Sequence, residues 1–150
     1  PDVVGTVDLA PTLADMAGTG LSYRHDGQSA LPLAEGRRPE AWRRYFLIRR
    51  GHIFEERERV LVEPARRAER TTERGIAGWR GVVTRRWQYV RYVTGEEELY
   101  DGRRDPHQLR NILARPRVDR TREQRRAHED LQRALRRLTG CDGVEDCRVR

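Results

Sequence analysis

The chain has 150 residues, enough for one ordinary domain with a modest core. Charged residues make up 37% of it and the net charge is +7, yet all 31 basic residues are arginines. No run of about 18 or more apolar residues occurs, which excludes a membrane-spanning helix.

Two explanations of the arginines compete. Forked guanidinium donors suit phosphate and carboxylate recognition. A GC-rich coding sequence would equally favour arginine over lysine, together with Ala, Gly and Pro. The second is preferred, because a nucleic-acid binder has no physical reason to avoid lysine. The charge is also uneven: residues 1–75 hold 13 Arg and 12 acids, whereas residues 76–150 hold 18 Arg and 12 acids. The chain opens on Pro1 and its one methionine is Met16. The expectation is that residues upstream are missing, so the lack of a leader carries no meaning.

In chain order, TVDLAPTLADMAG predicts a helix. Asp8 suits the N-cap and the helix dipole, and Pro11 falls in the first turn, where a missing N–H costs nothing. Leu9, Leu13, Met16 and Ala17 recur on one face and are expected to be buried. Gly18 and Gly20 end the helix. The next stretch, to about Pro39, reads as an ordered loop with one short helical turn near Ala30–Leu33. Tyr45–Ile48 predicts a strand, and Val60–Val62 sits in a second candidate strand at 59–63.

The strongest strand signal is WRGVVTRRWQYVRYVTG, with runs at Gly81–Thr84 and Trp87–Val93. In the second run Trp87, Tyr89, Arg91 and Val93 share one face, and Gln88, Val90, Tyr92 and Thr94 the other. EEELYD follows as a third short strand, completing an antiparallel meander. GRRDPHQLRNIL then predicts a helix with Asp105 at the N-cap, Pro106 at N1 and Gln108 at N3, burying Leu109, Ile112 and Leu113. Pro116 breaks it. A last helix runs from about Arg120 to Leu138, with Ala127, Leu131, Ala134, Leu135 and Leu138 as a narrow apolar stripe ending at Gly140.

Chemical signatures are sparse. His25, His52, His107 and His128 show no metal-ligand spacing. Ser29 lies in GQSAL, which lacks the closing glycine of a nucleophile elbow. Glu96, Glu97 and Glu98 read as solvating a strand end. Cys141 and Cys147, six positions apart, can close a small disulfide loop, which implies an oxidising compartment; the other reading is a pair of free thiols. The arginines between Arg110 and Arg137 suit a polyanion or a plain solvated face. The aromatics lie in the strands rather than among them, which weakens a base-stacking role.

Several separated stretches resemble the end of the sulfatase family, within the alkaline-phosphatase-like superfamily. VDLAPTLADMAG (7–18) is similar to the family's Asp–x–x–Pro–Thr helix ending in Gly, on Asp8, Pro11, Thr12 and Gly18. DGQSALPL (26–33) resembles its Asp–Gly–x–Ser segment, on Asp26 and Gly27, with Ala30 in place of the usual Leu. Residues 79–113 look like its strand pair, its Glu–Leu–Tyr–Asp turn (Leu99, Tyr100, Asp101) and its Asp–Pro…Asn segment (Asp105, Pro106, Asn111). Gly102 replaces the usual Leu there. CDGVEDC resembles the cysteine pair that closes some glucosamine-6-sulfatase-like members.

The resemblance implies an α+β fold: a small antiparallel sheet with a C-terminal helix, preceded by one helix of a missing α/β sulfatase domain. Residues 1–36 would be the last helix and loop of that large domain, and 37–150 the C-terminal subdomain. It further implies a parent enzyme that hydrolyses sulfate esters with a formylglycine and a calcium ion. No Cys/Ser–x–Pro–x–Arg motif occurs in this chain, so no catalytic or metal residue is assigned to it and the fragment is expected to be inactive alone. The implied partners are the missing N-terminal domain and, for the parent, a sulfated substrate; neither a membrane nor nucleic acid is expected. Arg49, which stands where many members have Glu, is with Arg50 and His52 a candidate to face substrate. The expected location is secreted or periplasmic. The rival function is an arginine-rich module that binds nucleic acid or a sulfated glycan.

Overall fold

The structure, a computed structural model, describes residues 2–37, 39, 42–50 and 78–147. The strand expected at 59–63 and His52 lie outside them. The centre of the fold is a four-stranded antiparallel sheet in simple chain order: β1 (Phe46–Arg50), β2 (Trp79–Val83), β3 (Trp87–Tyr92) and β4 (Glu97–Asp101). The mixture of this sheet with a long C-terminal helix is the α+β architecture expected from the sequence. β1 extends further than its apolar run, so Arg49 and Arg50 belong to the strand rather than follow it.

Register and alternation decide which side is the core. Leu47 faces Val82, Val82 faces Tyr89, and Tyr89 faces Leu99. This row crosses all four strands on one side of the sheet. Helix α3 (Arg122–Thr139) lies over it and buries Leu131, Ala134, Leu135 and Leu138 against Tyr45, Val82, Tyr89 and Leu99. Each leucine or valine among them contributes roughly 1.5–3 kcal/mol when fully buried. A capping box starts α3: the Thr121 hydroxyl accepts from the Gln124 N–H, and the Gln124 side chain accepts from the Thr121 N–H.

The helix expected from Asp105 does not form. Gln108 adopts a left-handed φ of 55°, which no α-helix accommodates. The Asp105 carboxylate instead accepts from the Leu109 and Arg110 N–H groups, at 3.0 and 2.8 Å, and closes a loop. Leu109 is 80% exposed rather than buried. Only short 3-10 turns follow, at Ile112–Ala114 and Arg117–Asp119.

At the N-terminus a 3-10 turn (Thr6–Asp8) leads into α1 (Leu9–Met16), and a short helix α2 spans Leu31–Ala34. The apolar stripe of α1 is present but not buried. Leu9, Leu13 and Met16 are 61%, 55% and 63% exposed. Periodicity marked the face correctly; nothing among the described residues covers it.

Candidate functional site

The first two motif stretches meet in a polar clasp on the inner side of α1. Asp8 is almost completely buried. It makes no side-chain cap to its own helix. Its Oδ2 accepts from the Gly5 N–H at 2.9 Å and its Oδ1 from the Gln28 N–H at 2.8 Å. It also pairs with Arg43, whose side chain is itself only 8% exposed. Arg43 stacks over the rings of Trp42 and Phe46. A buried charge needs such a partner and such donors to be tolerated.

Thr12 completes the bridge. Its hydroxyl donates to the Asp8 carbonyl at 2.5 Å and accepts from the Ala30 N–H at 2.9 Å. Asp15 accepts from the Ser29 hydroxyl at 2.6 Å. Gly27 lies beneath: an added Cβ would stand 1.9 Å from the Val7 carbonyl oxygen and 3.1 Å from Pro11. Asp8, Pro11, Thr12 and Gly27 therefore serve one task, fixing the loop at 26–30 against α1. Gly18, at φ 66°, ends the helix in a conformation glycine adopts without strain.

Asp26 continues the chain of contacts to the C-terminus. Its Oδ1 accepts from the Gly143 N–H at 2.8 Å. Cys141 and Cys147 are joined by a disulfide, which encloses Gly143. Arg24 donates to the Asp142 carbonyl at 2.8 Å and pairs with its carboxylate at 3.2 Å. The loop thus ties the N-terminal segment to the end of α3.

The Leu–Tyr–Asp stretch is split by alternation. Leu99 points into the core, fully buried. Tyr100 faces the other side, where burial and then the charge of Glu98 push its phenol up to about 12. Asp101 turns back to the core side and takes a two-pronged pair from Arg86, at 3.0 and 2.8 Å. That guanidinium holds the Asp101 carboxyl below its ordinary range despite burial. Arg86 also binds Glu123, joining β4 to the first turn of α3. Asn111 acts as a stand-in for a missing strand. Its Oδ1 accepts from Leu99 N–H at 3.1 Å and its Nδ2 donates to the Glu97 carbonyl at 3.1 Å, covering the free edge of β4. Asp105 closes the loop described above, with exposed Pro106 beside it.

Sequence reasoning missed three partners. Arg43 and Arg86 carried no spacing signal. Glu97 did: counting back two from Leu99 places it on the core-facing side. Its side chain is one-quarter exposed and receives the Tyr89 hydroxyl at 2.6 Å, His128 Nε2 at 3.1 Å and Gln132 at 3.3 Å. Burial alone would push Glu97 up, but bonds from Tyr89 and His128 outweigh it and leave the carboxyl lowered. This is an anchor between sheet and helix, not a solvated strand end.

Of the candidates to face substrate, Arg49 and Arg50 are both exposed but lie on opposite faces of β1. Arg49 lines a cleft of about 390 Å³ with Gln28, Tyr45 and Thr139. Among the described residues no group of three or more His, Cys, Asp or Glu side chains stands close enough to hold a metal. The carboxylates of Asp8 and Asp26 are already engaged by backbone N–H groups, and Asp8 also by Arg43.

The site thus consists of a small meander closed by one helix, with a helical hook held to it by a polar clasp. The family model described as N-sulphoglucosamine sulphohydrolase, C-terminal, matches residues 1–137, and the chain belongs to that family of sulfatase C-terminal regions. A choline-sulfatase of Rhizobium meliloti is 30% identical over 136 residues, covering 84% of this chain and 22% of its own length. A solved 2-O GAG sulfatase, BT1596, superposes with a TM-score of 0.55 at 26% identity, over 82% of this chain and 23% of that one. The phosphonate monoester hydrolase of Agrobacterium radiobacter shares the fold, with a TM-score of 0.55 at 24% identity over 86% of this chain and 24% of that one. The chain spans about a fifth of the length of the curated relatives it matches.

Proposed function

We propose that this chain is the carboxyl-terminal subdomain of a sulfatase, and that it closes onto a larger α/β domain that carries the chemistry. The observation that carries this reading is the two-sided character of α1. Its inner side is pinned by Asp8, Thr12 and Asp15, while Leu9, Leu13 and Met16 face outward. An exposed apolar stripe held this firmly suits a partner surface. The small share of each relative that the chain covers supports the identity of that partner as the remainder of the same enzyme.

The formylglycine and calcium implied for the parent do not fit the residues of this chain. It has no Cys/Ser–x–Pro–x–Arg motif, and the carboxylates of Asp8 and Asp26 are occupied as structural acceptors. Both groups belong to the larger domain, and no catalytic step is assigned here. On this reading the 150 residues are inactive by themselves, and sulfate-ester hydrolysis is a property of the intact enzyme. The disulfide supports a secreted or periplasmic location, since such bonds persist in oxidising compartments.

The reading frame preceding Pro1 tests this. A Cys/Ser–x–Pro–x–Arg motif several hundred codons upstream is the expected result. A frame that begins within a few codons of Pro1 and encodes no such domain would contradict it.

A further inference from the structure

The N-terminal segment, residues 2–37, is joined to the body of the fold at points far apart along it. Near its start, the Val3 carbonyl accepts from Trp42 Nε1 at 3.1 Å. Further on, Asp8 pairs with Arg43. Beyond α1, Arg24 and Asp26 reach the disulfide loop at 141–147. Helix α1 therefore lies between two of these ties. Asp8 holds its start. In its second half Asp15 accepts from Ser29, which stands just beyond Asp26 in the 26–30 loop. Two fixed points set the direction of a rod, and for α1 the second of them leads to the disulfide loop.

The loop is built to hold that point. Cys141 follows the end of α3 and packs against the apolar core. The disulfide brings Cys147 back to it. Within the ring the Cys147 N–H donates to the Gly143 carbonyl at 3.0 Å, and the Asp142 N–H to the Asp146 carboxylate at 3.0 Å. Gly143 takes a left-handed φ of 84° and turns its N–H onto Asp26. A Cβ there would stand 2.8 Å from Arg24 Nε, so glycine serves both contacts. Opening the S–S bond leaves 142–147 anchored to the core at Cys141, with hydrogen bonds in place of a covalent closure.

We propose that the Cys141–Cys147 disulfide is a redox latch for α1: closed, it fixes the direction in which Leu9, Leu13 and Met16 are presented, and opened, it releases Asp26 and the 26–30 loop. The reductant is a dithiol, the group that thiol–disulfide oxidoreductases present. One of its thiolates attacks Sγ of Cys147, because Cys141 is the sulfur that packs on the core. The S–S bond breaks, and Cys141 leaves as a thiolate and takes up a proton. The second thiol of the reductant, once deprotonated, displaces Cys147 from the mixed disulfide, and Cys147 is protonated in turn. Two electrons pass from the dithiol, which becomes a disulfide, to the protein, which gains two thiols. The bridged cysteines are six positions apart, and so short a ring gains less from chain entropy than a long-range bridge does. That the latch governs docking rests on the closing-subdomain reading; the latch itself does not.

The test is hydrogen exchange on the intact protein, oxidised and after dithiothreitol, with alkylation to report which cysteines have opened. Alkylation of Cys141 and Cys147 is expected while the protein stays folded. The Gln28 and Ala30 amides should then exchange about tenfold faster, the loss expected for a charge-assisted hydrogen bond, and the sheet amides should stay protected. Cys141→Ser/Cys147→Ser should show the fast exchange with and without dithiothreitol. Asp26→Ala should show it with the disulfide intact. Resistance of the disulfide to dithiothreitol, unchanged exchange at Gln28 and Ala30 on reduction, equal acceleration across the sheet, or a response of the serine variant to dithiothreitol at those two amides would each overturn the latch. Proteolysis within α1 should be slow in the oxidised intact protein and faster after reduction. Slow cleavage in both states would overturn control of docking by the latch. Rapid cleavage in both states, with the response at Gln28 and Ala30 preserved, would count against the docking reading and leave the latch standing.

Discussion

The α3–sheet core and the N-terminal clasp are held by opposite means. In the core, apolar side chains from five elements close over one another, and polar contacts such as Arg86–Asp101 sit at the margin. In the clasp, the ties between α1 and the 26–30 loop are polar, and Leu9, Leu13 and Met16 point away. The core needs nothing beyond the chain to satisfy it. The clasp leaves the outward apolar stripe of α1 uncovered among the described residues, which fits the proposed docking onto a larger domain.

Perturbations of the two regions should therefore behave differently. The largest expected effect is Leu131→Ala, which empties a fully buried site and should cost about 2–5 kcal/mol of global stability, read by denaturant unfolding. Asp8→Ala should be felt locally. It leaves Arg43 buried without its partner, which loosens the clasp, and hydrogen exchange should accelerate at the Gln28 and Ala30 amides while the sheet amides stay protected. Uniform acceleration across the sheet would erase the distinction. Replacing Cys141 and Cys147 by serine should cost about 2 kcal/mol, since the loop they close is short, and should loosen the contact of Asp26 with Gly143.

The Asp101 pair gives a smaller, pH-dependent signature. Its folded pKa is depressed, so its contribution is fully present above the ordinary aspartate value near 4 and is lost as pH falls through the lower folded value. Thermal unfolding of Asp101→Asn should lack that part of the acid-limb decline. The smallest effect belongs to Leu13→Ser on the open face of α1, within about 0.5 kcal/mol of wild type. Its consequence should appear in the intact protein, as weakened attachment of this region measured by limited proteolysis.

The legibility of the sequence follows the same divide. Strand alternation and the stripe of α3 were readable because the core satisfies itself, so local pattern and tertiary packing agree. The Thr121–x–x–Gln124 capping box went unread, although it marks the start of α3 at Arg122 rather than at about Arg120. The segment after Asp105 misled because Asp–Pro followed by Leu and Ile fits a helix start, yet the Asp105 carboxylate and Asn111 bond the backbone in a competing way. Asp8 looked like an N-cap for the same reason. Beyond the nearby Gly5 N–H, what it binds, the Gln28 N–H and Arg43, lies 20 and 35 residues away and leaves no local trace.

The most direct test of the central claim is an aryl-sulfate hydrolysis assay run on the purified 150 residues and on the intact protein that carries them. The account predicts turnover by the intact protein and none by the 150 residues, in the presence or absence of calcium. Turnover by the 150 residues alone would contradict it.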